Sequence, residues 1–116
     1  MNYQELLPIG SVVLLKGAES KLMITGRIVC DEKMEHIYDY VGVIYPLGMS
    51  GEADQYFFDR DAIDIPFFIG YQDEEELAFR NDVLAEIDEL EIRDGKIVPK
   101  DMDEDEDEAE DEDDNN

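Results

Sequence analysis

The sequence is short of cysteine, histidine and basic side chains, and each shortage excludes a class of protein. Its one cysteine, Cys30, permits no intramolecular disulfide and no multi-cysteine metal site. Nothing approaches the run of about 20 apolar residues that a membrane-spanning helix needs, and no signal peptide is evident at the N-terminus. We therefore expect a cytoplasmic protein. Nine Lys and Arg against 33 Asp and Glu also argue against nucleic acid and anionic membranes as partners.

The negative charge is concentrated at the C-terminal end. Residues 101–116 hold 12 of the 33 acids and no base, whereas residues 1–100 hold the other 21 acids and all nine bases, a net charge of −12. A segment of this composition has too little apolar surface to offset the entropy lost on ordering. We expect residues 1–100 to form one α+β domain and residues 101–116 to be a disordered acidic tail.

The first 70 residues contain apolar runs separated by turn-forming residues, which is typical of a small antiparallel sheet. Gly26 falls within the second run and predicts a bulge or a bend, and Pro66 in the last run predicts an edge strand or the first position of its strand. The expected strands are Ser11–Lys16, Lys21–Cys30, Ile37–Tyr45, Gln55–Asp59 and Ile65–Gly70.

The first predicted strand, SVVLLK, is apolar on both of its faces. Val12 and Leu14 point to one side and Val13 and Leu15 to the other, because side chains alternate along a strand. Both faces must then be covered, either within the domain or by a partner.

The hydrophobic period changes after residue 72 and predicts a helix. Asp73 and Glu76 have the spacing of a capping box, apolar residues recur at helical spacing, and Gly95 follows as a C-terminal signal. We predict a helix from about Asp73 to Glu91. Several strands followed by one helix indicate a small curled antiparallel sheet, an SH3-like half-open barrel, with a flat five-stranded sheet as the alternative.

Catalytic and metal-binding residues are not evident in the sequence. His36, the only histidine, lies in a charged stretch with no serine or cysteine nucleophile beside it. Asp103, Asp105 and Asp107 have the spacing of an EF-hand loop, but Glu108 stands where that loop requires glycine. No dinucleotide or phosphate-loop motif is present. We therefore expect no enzyme activity, no cofactor and no metal.

Aromatic side chains are the strongest candidates for a binding site. Tyr38, Tyr40 and Tyr45 lie along the third predicted strand and its exit, and Leu47 and Met49 follow in the next loop. Tyr38 and Tyr40 share a face if the strand alternates regularly. These five residues form either part of a tryptophan-free core or a surface that binds a protein partner.

Four blocks in this order, LPIGSVVLLKG, KLMITGR, YDYVGVIYPLG and FFIGYQDEEE, cover about Leu7 to Arg80. The sequence resembles a small family of unknown function from Gram-positive bacteria, often encoded beside type VII (ESX-like) secretion systems and LXG-domain toxins. The resemblance implies a cytoplasmic accessory protein that acts on secreted toxins. It brings no catalytic or cofactor-binding residues, and the acidic tail is outside its pattern.

Three functions remain open at this point. The favoured one is a non-catalytic adaptor that binds an LXG-type toxin or its helper proteins in the cytoplasm. The alternative is an acidic inhibitor, or immunity-type protein, that neutralises a basic toxin such as a nuclease through its charge. A small enzyme is the third and would need a substrate-sized pocket with a perturbed acid.

Overall fold

The computed structural model describes residues 3–33, 35–51 and 54–100. Its strands and its α-helix are β1 Val12–Leu15, β2 Leu22–Cys30, β3 Ile37–Ile44, β4 Tyr56–Phe58, β5 Ile63–Phe68, α1 Glu74–Asp82, β6 Leu90–Arg93 and β7 Lys96–Pro99.

The first five strands form one antiparallel sheet in the order β4-β3-β2-β1-β5, and β6 and β7 form a separate hairpin. This confirms the predicted α+β class with a five-stranded antiparallel sheet. The sheet is not closed, because β4 and β5 lie at its two ends, so an SH3-like barrel is only a loose description. None of the helices in the described residues has the length and apolar character needed to span a bilayer. The predicted tail, residues 101–116, lies outside the part that the structure describes.

One face of the sheet carries the hydrophobic core. Val13 on β1 pairs with Leu22 on β2, and the side chains of Ile24 and of Tyr40 on β3 continue the same buried face. Residues from outside the sheet cover this face. They come from the N-terminal segment and from the 3-10 helix Leu84–Glu86: Tyr3, Leu6 and Leu84.

The two features predicted for single residues of the sheet are confirmed. The pairing of β2 with β3 shifts register between Ile24 and Gly26, as a bulge at Gly26 requires. Pro66 lies in β5, an edge strand, where a residue without an N–H group is tolerated.

The LPIGS block of the sequence connects distant parts of the fold through hydrogen bonds. The Leu7 N–H donates to the Tyr40 hydroxyl at 2.9 Å, and the Gly70 N–H donates to the buried Ser11 hydroxyl at 2.9 Å. Gly10 and Ser11 also bond to the backbone of Ile24. The sequence blocks that carry the family resemblance are therefore in contact, and hydrogen bonds connect them across the sheet.

Gly70 packs so tightly against this connection that a side chain cannot fit. A Cβ placed on Gly70 would lie 2.1 Å from the carbonyl oxygen of Ile9. We expect Gly70→Ala to lower the free energy of unfolding by about 1–3 kcal/mol, because the backbone around it must shift. Urea denaturation measures this, with Gly51→Ala as the control, since a Cβ on Gly51 meets no atom within 4 Å. Equal stability of the two variants would contradict the packing described.

The helix is shorter than predicted. Asp73 is the N-cap, as expected, and its carboxylate accepts a hydrogen bond from the Glu76 N–H, but α1 ends at Asp82. No residue of α1 is buried; of the predicted apolar face, Leu84 is buried in the core, and it belongs to the 3-10 helix that follows. The predicted continuation of the helix to Glu91 is therefore wrong.

A β-hairpin occupies the region predicted as the end of the helix. Asp94 and Gly95 have positive φ angles of 57° and 74°, the backbone of a type I′ turn, and they join β6 to β7. Gly95 is therefore a hairpin residue and does not end a helix. An Asp-Gly pair between two apolar strands is a strong hairpin signal, and a glycine after a helical pattern is a common helix end. Gly95 fits both patterns, so the sequence alone did not distinguish them.

Helix α1 is attached to the sheet by an ion-pair cluster. The Arg27 guanidinium donates two hydrogen bonds to the Glu76 carboxylate at 2.8 and 2.9 Å, and Arg80 donates to the same carboxylate at 2.9 Å. The side chains of Arg27 and Glu76 are largely shielded from water. The hydrogen bonds from Arg27 hold the pKa of Glu76 below its ordinary value.

The lowered pKa of Glu76 predicts a dependence of stability on pH. A carboxyl group with a lower pKa in the folded state stabilises the fold above its unfolded pKa, near 4.5, and loses this contribution as the pH falls through the folded pKa. Glu76→Gln should cost about 1–3 kcal/mol at pH 7 and give a flatter stability profile below about pH 4.5. Urea unfolding at a series of pH values measures both, and parallel profiles would contradict the cluster's role.

Candidate functional site

The face of the sheet opposite the core is apolar. Val12 on β1 pairs with Met23 on β2 and with Phe68 on β5, and paired residues share a face. Leu14 and Ile65 are paired on the same side. We call this surface the outer face. It includes several exposed large side chains, and Phe68 is 60% exposed.

A groove of about 480 Å³ crosses the outer face. Its lining consists of Gly10, Val12, Lys21, Met23, Tyr45, Phe67 and Phe68. The Lys21 ammonium lies 5.1 Å from the centre of the Phe67 ring and 6.0 Å from that of Tyr45, within reach of a cation–π attraction. Although the chain carries 33 acids, none of the described residues that line the groove is a carboxylate, and Lys21 is the one charged residue among them.

The loop between β3 and β4 begins at the groove and carries exposed apolar side chains. Tyr45 lines the groove, and Leu47 and Met49 follow with exposed fractions of 73% and 56%. The Asp54 carboxylate accepts hydrogen bonds from the Ser50 N–H and hydroxyl at 2.7 Å each, which anchors the far end of the loop. The Ser50 hydroxyl bond lowers the pKa of Asp54.

The five predicted binding residues are divided between core and surface. Tyr45, Leu47 and Met49 are exposed together, whereas Tyr38 is half-buried and Tyr40 is only 1% exposed. The Tyr38 ring lies against Phe57, and the Tyr40 ring packs on Phe58 with centroids 5.3 Å apart. Tyr40 therefore belongs to the core, and a partner cannot reach it in this conformation.

The YDY block has a structural role in this fold. The buried Asp39 carboxylate accepts hydrogen bonds from the Arg60 N–H at 2.8 Å and from its Nε at 3.0 Å. The Tyr40 hydroxyl accepts from Leu7, and burial raises the pKa of Tyr40. These contacts attach β3 to the segment after β4 and to the N-terminus.

His36 lies at the surface, and its imidazole Nε2 is 3.8 Å from the Asp59 carboxylate. Its ring also contacts that of Tyr38 at 4.4 Å between centroids. Within residues 3–33, 35–51 and 54–100, no group of three or more His, Cys, Asp or Glu is arranged to hold a metal ion. The acids Asp103, Asp105 and Asp107 lie outside those residues.

The fold and this surface define a small α+β domain whose antiparallel sheet is packed on one face and apolar on the other. The chain belongs to the family described as domain of unknown function (DUF4176), whose pattern it matches over residues 6–79. The matched region ends inside α1 and leaves out the β6–β7 hairpin and the acidic segment. Comparison with curated proteins gave no significant match, and neither did comparison with solved structures.

Sequence reasoning missed the groove residues on β2 and β5, chiefly Met23 and Phe68. The doubly apolar strand β1 was the available signal, because both of its faces need cover and α1 is the one α-helix among the described residues. Side-chain alternation alone does not say which of the two faces the rest of the chain covers.

Proposed function

We propose that this chain is a non-catalytic accessory protein of type VII secretion that binds an LXG-type toxin or its helper proteins in the cytoplasm. The secretion context rests on the resemblance of the four sequence blocks. The observation that supports binding is the apolar groove, whose lining includes the exposed Tyr45, with the exposed Leu47 and Met49 following in the same loop. Large exposed apolar patches on small domains are typical of protein-binding surfaces.

The remaining surface suits an adaptor. Residues 1–100 carry a net charge of −12, which keeps a domain with an exposed apolar patch soluble. Burial of a patch stabilises a complex by about 25 cal/mol per Å², from which the entropy lost on association is subtracted. A patch of this kind binds a partner reversibly, which an adaptor requires because it must release the toxin to the secretion system.

An acidic inhibitor of a basic toxin is the second candidate, and the same charge of −12 is the observation that favours it. Such an inhibitor would bind through carboxylates spread over the surface, and its affinity would depend on ionic strength. The apolar groove would then have no part in binding.

Salt distinguishes the two functions. We expect the tagged chain, co-expressed with the LXG toxin encoded nearest its gene, to retain that toxin when salt rises from about 0.1 M to about 1 M, because apolar contacts are insensitive to screening. A purified basic nuclease toxin serves as the comparison. Release of the LXG toxin at high salt, together with tight binding of the nuclease at low salt, would favour the inhibitor.

A further inference from the structure

A partner can reach the groove from the outer face of the sheet. The neighbouring edge strand, β5, is poorly suited to pairing with a strand of a partner. Strand β5 is an edge strand, and an edge usually accepts another strand through its free N–H and C=O groups. Pro66 in the middle of β5 has no N–H group, and β5 also changes register against β1 at two points. An extended peptide could therefore not form a continuous row of backbone hydrogen bonds along β5. The side chains of the outer face offer a partner more contact than this edge does.

Charge argues against two of the possible occupants. A second copy would bring together two chains of net charge −24, which repel each other strongly. The chain's own residues 101–116 have 12 acids and only Met102 and Ala109 as apolar residues, and Lys21 is the one cation among the described residues that line the groove. Repulsion therefore disfavours a second copy, and an acidic segment does not match a lining of aromatic and aliphatic side chains.

The same charges favour a partner segment with basic flanks. The groove itself is apolar, but residues 1–100 carry a net charge of −12. Two exposed acids lie close in sequence to lining residues: Glu19 is two residues before Lys21, and Asp64 is three residues before Phe67. A ligand that places apolar side chains in the groove and Lys or Arg outside it is attracted by this acidic domain and buries no charge. Helices pack naturally on the pleated face of a sheet.

We infer that the groove receives a cationic amphipathic helix of the partner, with its apolar stripe against Val12, Met23 and Phe68 and its basic residues toward the acidic surroundings. This inference rests on the proposed function and specifies the segment of the partner that is recognised. Phe67 and Tyr45 form the walls, and the Lys21 stem extends the apolar contact between them.

The test uses the full chain and a synthetic helical peptide of about 18 residues, with leucines spaced three and four apart and lysines elsewhere. A scrambled peptide of the same composition keeps the charge and loses the stripe. Fluorescence anisotropy gives both affinities, and we expect the striped peptide to bind more tightly by about tenfold or more. Phe68→Ser should remove this preference. Leu77→Ser changes a side chain on α1 that is about as exposed as Phe68, and it should leave the preference intact.

Three results would overturn the inference. The first is equal binding of the striped and scrambled peptides, which would show attraction by charge alone. The second is a preference that survives Phe68→Ser. The third is a concentration-dependent dimer, seen by sedimentation of the chain alone and abolished by Phe68→Ser, which would identify a second copy as the occupant. If the chain captures an LXG toxin and yet shows no preference for the striped peptide, the proposed function stands and this inference fails. If the peptide preference holds and no LXG toxin is captured, the function fails.

Discussion

Truncation of Tyr40 to alanine is expected to lower the free energy of unfolding by about 3–5 kcal/mol, a large part of the stability of a domain of this size. The ring is 1% exposed and packs on Phe58, so its removal leaves a cavity in the hydrophobic core. The substitution also removes the acceptor of the Leu7 N–H, which attaches the N-terminal segment to β3. Urea unfolding followed by circular dichroism measures the loss.

Tyr40→Phe separates the two contributions. It keeps the ring and leaves the Leu7 N–H without its acceptor, so we expect a loss of about 1–3 kcal/mol. Tyr38→Ala, at a half-buried position on the same strand, should cost less than Tyr40→Ala. A loss under about 1 kcal/mol for Tyr40→Ala would contradict its place in the core and return it to the list of surface residues.

Replacing Tyr45, Leu47 and Met49 together by serine should reduce the affinity for an LXG-type partner by about 100-fold or more. All three side chains are exposed, so the variant loses contact area and little folding energy. We expect its thermal midpoint to stay within about 5 °C of that of the parent chain, which corresponds to roughly 1 kcal/mol for a domain of this length. Titration calorimetry and thermal denaturation of the same samples measure the two quantities.

Leu77→Ser combined with Val83→Ser is the matched control for this variant. Both residues are apolar and nearly half exposed, in or next to α1, and neither lines the groove. The control should bind the partner as the parent chain does. A control that loses affinity as strongly as the triple variant would move the binding surface to the helix.

The five strands of the main sheet could be predicted from sequence because each is a short apolar run bounded by turn residues, and Gly26 and Pro66 marked a bulge and an edge. The end of the helix could not. Leu84 and Ile87 fit a helical stripe and also fit a 3-10 turn that packs on the core. The decision for a hairpin at Asp94 and Gly95 depends on pairing between β6 and β7, which local spacing does not reveal.

The candidate site was predictable only in part. Tyr45 precedes Pro46 at the end of an apolar run, Leu47 and Met49 lie in the turn-rich loop that follows, and loops of this kind lie at the surface. Tyr40 was assigned to the same surface because strand alternation says which side chains share a face and leaves open which face is covered. The covered face is the one that packs against Tyr3 and Leu6 from the N-terminal segment and Leu84 from the 3-10 helix after α1.

Hydrogen exchange of the chain with and without the LXG-type toxin proposed as its partner locates the binding surface without any substitution. We expect slower exchange on binding at β1, at β5 and in the loop from Tyr45 to Met49, with α1 and the β6–β7 hairpin unchanged. Protection confined to α1 or to the hairpin, with none at β5 or in the loop, would contradict this expectation.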